Sequence, residues 1–284
     1  MNYKLFVADM DGTLLDDNKK LSDKNIKSIK KLQNFGIKFV VATGRHDSMV
    51  KSYLKHLDLH VPVISCNGAI VREPFSDQIF LSEALPIEQS LCVIDLCKDI
   101  NADFHIYGHE SIYGEKLSHK MLYYHNLNKT LPIEERTKLV IVSDCKDIVL
   151  NESELLYKFL IISDGKEDLL DIKGRLSNIE GLTVCQSMPM LCDVMKDGIS
   201  KANALQRLSE SLGIKREEIV AIGDQYNDID LIEYAGLGIA VANAEDALKE
   251  KADIVTLSNN NEDAVSEAIE SILLNQQYHR NTQS

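Results

Sequence analysis

Apolar residues near the start of this chain fall into short runs that alternate with helical patterns. The runs at 5–8, 38–42 and 61–65 predict buried strands. The segments between them, 22–35 and 48–57, predict helices, and the first carries its apolar residues on one face. Strands that alternate with helices pair in parallel through right-handed crossovers. This part of the chain therefore predicts an α/β fold with a Rossmann-like parallel sheet.

The same alternation returns after residue 200. Helices are predicted over 200–212 and 227–235, and strands over 219–222 and 238–241. A short strand at 254–255 and a helix at the end of the chain follow. We expect these elements to complete the sheet that the N-terminal part begins.

The middle of the chain has a different rhythm. Short predicted strands at 103–107, 158–162 and 183–185 are mixed with polar helices. This pattern predicts a second, α+β domain inserted into the first. The predicted division is a core domain formed by residues 1–82 and 191–284, and an inserted domain formed by residues 83–190.

The composition of the chain indicates which kinds of partner and which cellular compartment to expect. The net charge of −13 argues against nucleic acid and anionic membranes as partners. No apolar run approaches the ~20 residues of a membrane helix, and the N-terminus leads directly into a strand. The six cysteines show no paired spacing, which is typical of reduced thiols. We expect a cytoplasmic protein that is a monomer or a weak homo-oligomer.

Two aspartates follow the first predicted strand. Alternation along an extended chain places Asp9 and Asp11 on the same side, so both carboxylates can face one small centre. Adjacent carboxylates repel unless a cation or a shared proton intervenes. The pair indicates either a hard divalent metal such as Mg²⁺, or a division of roles between a nucleophile and an acid–base group. Ordinary acidic residues of a strand-to-helix loop are the alternative.

Polar residues also follow other predicted strands or begin predicted helices. They are Thr43-Gly44, Lys201, Gly223-Asp224 and Asp228. Taken singly, each has an ordinary explanation: a turn, a surface lysine, or acids that favour a helix N-terminus. Their joint placement at one edge of a parallel sheet favours a functional site, because open α/β sheets bind ligands at that edge.

In this order the residues resemble the four motifs of the haloacid dehalogenase-like hydrolase superfamily, in the form of its Cof-type phosphatases. The matching segments are Asp9-Met10-Asp11-Gly12-Thr13, Ala42-Thr43-Gly44-Arg45, Asn67-Gly68-Ala69, Lys201, and Gly223-Asp224-Gln225-Tyr226-Asn227-Asp228. Three features depart from the common pattern: His46 stands where proline is frequent, Ala202 stands where glycine is usual, and the stretch before Lys201 lacks the proline that commonly precedes its glycine. These departures leave the finer subfamily open.

The resemblance implies a reaction and roles for the two aspartates. Asp9 would attack the phosphorus atom and form an aspartyl-phosphate. Asp11 would protonate the leaving oxygen and then take a proton from the attacking water. The inserted domain would correspond to the large α/β cap of the Cof-type group, which closes over the site and sets substrate specificity.

The resemblance also implies the binding groups. Mg²⁺ would be held by the carboxylates of Asp9 and Asp224 and by the backbone carbonyl of Asp11, with Asp228 orienting the site. The phosphoryl oxygens would be bound by the Met10 amide, the Thr43 hydroxyl, the Gly44 amide, Lys201 and Asn227. Arg45 and Asn67 are candidates for substrate contact, and a structural role for either stays open.

The expected function is that of a Mg²⁺-dependent phosphatase of small phosphorylated metabolites, such as a sugar phosphate, a flavin precursor or pyridoxal phosphate. Two alternatives stay open. A phosphomutase could use the same core, and a regulator without catalysis could bind a phosphorylated ligand. Isomerisation without phosphate release would indicate the first, and binding without turnover would indicate the second.

Overall fold

The computed structural model describes residues 2–76, 78–151, 154–188 and 190–282. The chain divides into two compact units. The first comprises the N-terminal segment through Thr43, Tyr53–Leu81, and the segment from Ser200 onward. The second comprises Gly44–Ser52 and Ser82–Ile199.

Strands and helices alternate through most of the chain. The strands are β1 Leu5–Ala8, β2 Lys38–Ala42, β3 Val63–Ser65, β4 Ile70–Glu73, β5 Gln78–Ser82, β6 Asp103–Gly108, β7 Ser111–Gly114, β8 Lys138–Ile141, β9 Leu156–Ile162, β10 Leu182–Met188, β11 Leu191–Lys196, β12 Ile219–Gly223, β13 Leu237–Ala240 and β14 Ile254–Val255. The α-helices are α1 Asp23–Asn34, α2 Lys51–Leu57, α3 Ile87–Asp99, α4 His119–Asn128, α5 Lys146–Val149, α6 Lys166–Leu176, α7 Lys201–Ser211, α8 Ile229–Tyr234, α9 Asp246–Lys249 and α10 Ala264–Thr282.

The first unit is built on one sheet with the strand order β14-β13-β12-β1-β2-β3-β4-β5. Pairing is parallel from β14 through β3, and β4 joins antiparallel. Ala8 at the end of β1 lies beside Ile222 on one side and Val41 on the other. The residues that follow these three positions therefore meet at one edge. This arrangement confirms the predicted parallel-sheet α/β core.

Helix α1 shows how the sequence sets an element boundary. The Ser22 hydroxyl accepts a hydrogen bond from the Asn25 amide at 3.0 Å, so it caps the helix at the predicted position. Ile29 and Leu32 are fully buried on its inner face. Helix α7 begins in the same way, because the Ser200 hydroxyl accepts from the Asn203 amide at 3.1 Å. This cap fixes Lys201 as the first residue of α7.

The second unit is built on a six-stranded sheet with the order β10-β11-β9-β6-β7-β8. Its pairs are antiparallel apart from β7 with β8. The predicted strands at 103–107, 158–162 and 183–185 lie in β6, β9 and β10. Helices α3 and α6 pack their buried residues, including Val93 and Ile172, into the core of this unit. An α+β unit is thus inserted in the α/β fold, as predicted.

Two segments group differently from the predicted division, and the boundary predicted after residue 82 lies after Leu81. Residues 191–199 group with the second unit, because β11 pairs with both β9 and β10. The short segment Gly44–Ser52 also groups with the second unit. There the His46 ring nitrogen Nε2 lies 2.9 Å from the Gly108 carbonyl oxygen, which ties this segment to β6.

Among the helices that the structure describes, none combines the length and the apolar character that crossing a membrane requires.

Candidate active site

Three buried aspartates converge at the carboxyl edge of the first sheet. Asp9 follows β1, and its amide donates to the Ile222 carbonyl at 3.0 Å, which extends the strand pairing by one residue. Asp224 follows β12, and Asp228 ends the short 3₁₀ turn Tyr226–Asp228. One carboxylate oxygen from each of the three lies within 4.8 Å of the others.

Lys201 balances part of this negative charge. Its Nζ lies 2.6 Å from Asp9 Oδ1 and 2.6 Å from Asp228 Oδ1. The side chain is fully buried. Burial opposes the charge on the ammonium group, but the carboxylates of Asp228 and Asp9 outweigh it and raise the pKa of Lys201. Lys201 therefore stays protonated and holds two of the three carboxylates in place.

Both oxygens of Asp228 are engaged within the protein. Oδ1 pairs with Lys201, and Oδ2 accepts hydrogen bonds of 3.1 Å from the backbone amides of Asp224 and Gln225. These bonds fix the loop that carries Asp224. The orienting role of Asp228 stays a prediction.

The Asp224 side chain is held by residues of the first motif and by its neighbour Gln225. The Thr13 hydroxyl donates to Asp224 Oδ1 at 2.7 Å, and Gln225 Nε2 donates to Oδ2 at 3.2 Å. Gly12 lies directly against this carboxylate with φ +87°, and a Cβ at that position would lie 2.9 Å from Asp224 Cγ and closer still to Oδ2. A glycine is therefore needed at position 12 for both its backbone conformation and its lack of a side chain.

The electrostatics of the site leave it short of positive charge. Burial, and after it the charge of Asp228, raises the pKa of Asp224 to about 7. Burial also raises the pKa of Asp9 well above its usual value, although Lys201 opposes the shift. These three carboxylates lie around the ammonium group of Lys201. Buried, oxygen-only ligands with excess negative charge fit a hard divalent cation such as Mg²⁺.

The Asp11 carboxylate is not one of the three grouped carboxylates. It pairs with Lys19 Nζ at 2.9 Å, and its side chain is partly exposed. The Lys19 carbonyl in turn accepts a hydrogen bond of 3.0 Å from the Tyr53 hydroxyl. The two aspartates of the first motif thus have different surroundings, one enclosed among charges and one accessible.

Thr43 and Asn227 are brought together through Asn67. The Asn67 amide donates to the Thr43 carbonyl at 3.0 Å, and Asn227 Nδ2 donates to Asn67 Oδ1 at 3.0 Å. Thr43 and Asn67 are buried. Three of the sequence-predicted residues, from three different loops, therefore form one hydrogen-bonded chain.

Gly44 and Arg45 belong to the segment that groups with the second unit. Within that unit, Lys158 Nζ donates to the Gly44 carbonyl at 2.5 Å and pairs with Asp193 at 3.0 Å.

Met10 is fully buried, and its carbonyl accepts hydrogen bonds from the amides of Leu14 and Leu15. The phosphate-binding roles of the Met10 and Gly44 amides, and the role of Arg45, stay predictions.

Sequence reasoning missed three residues that contact the site: Thr13, Gln225 and Lys19. Thr13 and Gln225 lie inside the quoted motifs, so their positions in the sequence already carried a signal. Lys19 lies in a polar loop and adopts a left-handed conformation with φ 61°. Nothing in the local pattern distinguished it from the neighbouring Lys20.

Comparisons with known proteins identify the family of this chain. The model of a family described as haloacid dehalogenase-like hydrolase matches residues 6–269. The pyridoxal phosphate phosphatase YbhA of Escherichia coli is 27% identical, with 96% of this chain and 100% of that protein covered. The 5-amino-6-(5-phospho-D-ribitylamino)uracil phosphatase YitU of Bacillus subtilis is 29% identical, with 92% and 94% covered.

A solved structure shows the same likeness. A haloacid dehalogenase-like hydrolase from Bacteroides thetaiotaomicron superposes with a TM-score of 0.81 at 29% identity, over 95% of this chain and 100% of that one. The family match spans nearly the whole chain and includes all four motifs. These relatives confirm the predicted enzyme class, a phosphoric monoester hydrolase. The chain belongs to the haloacid dehalogenase-like hydrolases.

Proposed function

We propose that this protein is a Mg²⁺-dependent phosphatase of small phosphorylated metabolites that works through an aspartyl-phosphate at Asp9. The observation that carries the proposal is the buried cluster of Asp9, Asp224 and Asp228 around Lys201. Such a cluster combines a fixed carboxylate nucleophile with oxygen ligands for a cation. A hydrolase without covalent catalysis would not need the nucleophile and the metal ligands at one point.

Asp9 is suited to act as the nucleophile. A carboxylate oxygen of Asp9 forms a bond to phosphorus as the bond from phosphorus to the substrate oxygen breaks. Lys201 Nζ donates a hydrogen bond to Oδ1 of Asp9. This bond fixes the orientation of the carboxylate and therefore its direction of attack. Strand β1, which ends directly before Asp9 and is buried at all four positions, holds the backbone of Asp9 in place.

Asp11 is suited to move the protons. It donates a proton to the leaving oxygen in the first step. In the second step it takes a proton from the water that attacks the aspartyl-phosphate, and inorganic phosphate leaves with Asp9 restored. Asp11 is thus protonated again at the end of the cycle, and its partly exposed side chain is accessible to the leaving oxygen and to water.

The metal and phosphate sites follow from the same edge of the sheet. The carboxylates of Asp9 and Asp224 and the backbone carbonyl of Asp11 would hold Mg²⁺, with Asp228 fixing the loop of Asp224. When bound, Mg²⁺ supplies positive charge that lets a carboxylate approach an anionic phosphate. The phosphoryl oxygens would accept hydrogen bonds from the Thr43 hydroxyl, Lys201, Asn227, and the Met10 and Gly44 amides.

The relatives suggest the substrate class. The two named phosphatases act on pyridoxal phosphate and on a phosphorylated ribitylaminouracil, each a small metabolite with a terminal phosphate ester. We infer a substrate of this kind, a sugar phosphate included, with specificity set by the second unit and by Arg45.

Phosphate release from a panel of phosphorylated metabolites, with Mg²⁺ and with EDTA, tests the proposal. Wild-type protein should release phosphate only with the metal, and acid-quenched samples should carry a phosphoryl group on Asp9. Asp9→Asn should lose both signals while the protein stays folded, which its circular dichroism spectrum checks. The exposed Asp171→Asn serves as a matched control and should retain both signals. Isomerised sugar phosphate without free phosphate would indicate a mutase, and binding without turnover would indicate a regulator.

A further inference from the structure

The turn after β3 places Asn67 in an unusual backbone conformation. Cys66, Asn67 and Gly68 all have positive φ values, of 50°, 56° and 105°. Non-glycine residues adopt this region rarely, and asparagine tolerates it better than most. Asn67 is also only 2% exposed. A buried polar residue held in a strained turn needs a compensating set of contacts.

The first contact runs through the backbone. The Asn67 amide donates to the Thr43 carbonyl at 3.0 Å. That carbonyl and the Gly44 amide belong to one planar trans peptide, in which the N–H points opposite to the C=O. By holding the Thr43 carbonyl, Asn67 also fixes the direction of the Gly44 N–H.

The second contact runs through the side chain. Asn67 Oδ1 accepts a hydrogen bond of 3.0 Å from Asn227 Nδ2. A carboxamide NH₂ carries two donors, and this bond uses one of them. The amide plane of Asn227 is therefore fixed, and its second N–H has a defined direction.

We propose that Asn67 is a positioning residue of the phosphate site, which aligns the Gly44 and Asn227 donors without itself binding the phosphoryl group. The inference rests on the proposed function, since both donors are assigned to phosphate there. It decides between substrate contact and structural role for Asn67, which the sequence left open. It also explains why an amide side chain occupies a strained turn at this edge of the sheet.

Asn67→Gly isolates the side-chain contact, because glycine keeps the left-handed turn and the backbone amide. We expect kcat/KM for phosphate release to fall about fivefold to tenfold, the effect of one lost net hydrogen bond. The double variant Asn67→Gly/Asn227→Ala should be no worse than Asn227→Ala alone. Asn101→Gly is the matched control, since Asn101 is exposed and also left-handed with φ 54°. It should keep wild-type kcat and KM.

A titration with inorganic phosphate in the presence of Mg²⁺, followed by NMR, separates this inference from the proposed function. In wild-type protein, phosphate should shift both the Gly44 amide signal and the Asn227 side-chain signal. Without phosphate, the Asn227 signal should move in Asn67→Gly and return in Asn67→Asp, which restores an acceptor oxygen.

The outcomes are distinct. Wild-type protein that neither releases phosphate nor shows these shifts contradicts the proposed function, and the Asn227 signal in the unliganded variants still decides the role of Asn67. An Asn227 signal unchanged by Asn67→Gly, or additive losses in the double variant, overturns the positioning role.

Discussion

Gly12 lies against Asp224 so closely that a single added carbon would collide with the carboxylate, 2.9 Å from its Cγ. The two residues come from opposite ends of the chain, and the Thr13 hydroxyl reinforces their contact with its hydrogen bond to Asp224. The first motif thus supplies the two aspartates after β1, and its residues Gly12 and Thr13 also position Asp224 of the fourth motif.

Gly12→Ala should therefore damage the site more than the fold. Gly36 has nearly the same backbone conformation, φ +81° against +87°, but nothing lies within 4 Å of a Cβ at that position. Both variants should lose about 1–2 kcal/mol of unfolding free energy in urea from backbone strain. Activity should fall about 10- to 100-fold in Gly12→Ala alone, because Asp224 must move. Equal activities in the two variants would contradict this account.

Lys201→Met should destabilise the protein strongly. Removal of this buried ammonium group leaves Asp9 and Asp228 without their partner, and breaking a buried ion pair typically costs about 3–5 kcal/mol. The matched control is Lys31→Met, which removes the exposed Lys31–Glu270 pair and should cost less than about 1 kcal/mol. Urea unfolding with EDTA present measures both. A second substitution, Asp228→Asn, should recover part of the loss in Lys201→Met.

Much of the first unit could be predicted because its strands are buried on both faces. A run such as Leu5–Ala8 is apolar at every position, which is typical of a strand buried on both faces, and polar residues mark its end. The order of the motifs then placed Asp9, Asp224 and Lys201 at one edge of the sheet, where the structure has them.

The second unit was harder to predict because its strands are short or lack a clear pattern. In β8, for example, two half-buried positions lie between two exposed ones, and β7 is four residues long and ends in glycine. The short segment Gly44–Ser52 is held by distant residues, His46 by Gly108 and Gly44 by Lys158. Local pattern carries no information about such contacts. The pairing of Asp11 with Lys19 depends in the same way on a loop conformation.

His105 should make stability depend on pH between about 6.5 and 4. Burial lowers the pKa of His105 to about 4 from an ordinary value of 6.5, with Asp103 opposing the shift and His119 and Lys116 adding to it. The unfolded chain therefore binds this proton at a higher pH than the folded protein does. The contribution of His105 to the free energy of unfolding is fully present above pH 6.5 and is lost as the pH falls toward 4. The loss from this residue amounts to roughly 3 kcal/mol.

The variant His105→Gln should reduce the dependence of the unfolding free energy on pH between about 6.5 and 4. Glutamine is neutral throughout and can reach the Ser118 hydroxyl, which lies 3.2 Å from His105 Nε2. The difference in unfolding free energy between wild type and variant, measured in urea at several pH values, isolates this residue from the others. His125→Gln, on the exposed face of α4, is the control and should follow the wild-type curve. A variant curve parallel to wild type would show that His105 is not protonated on unfolding.

Asp224→Asn should change stability in opposite directions without and with Mg²⁺. Without metal, the carboxylate of Asp224 is buried and lies beside two others, and burial first and the charge of Asp228 second raise its pKa. The variant should then be at least as stable as wild type in EDTA. With Mg²⁺ above its dissociation constant, each tenfold increase should add about 1.4 kcal/mol to wild type. The variant, which lacks a charged ligand, should gain little, so the two unfolding curves should cross as Mg²⁺ is added. Asp171→Asn should follow wild type throughout. If Asp224→Asn kept the full Mg²⁺-dependent gain, the ion would be held by other residues, and Asp224 would be left with a purely structural role.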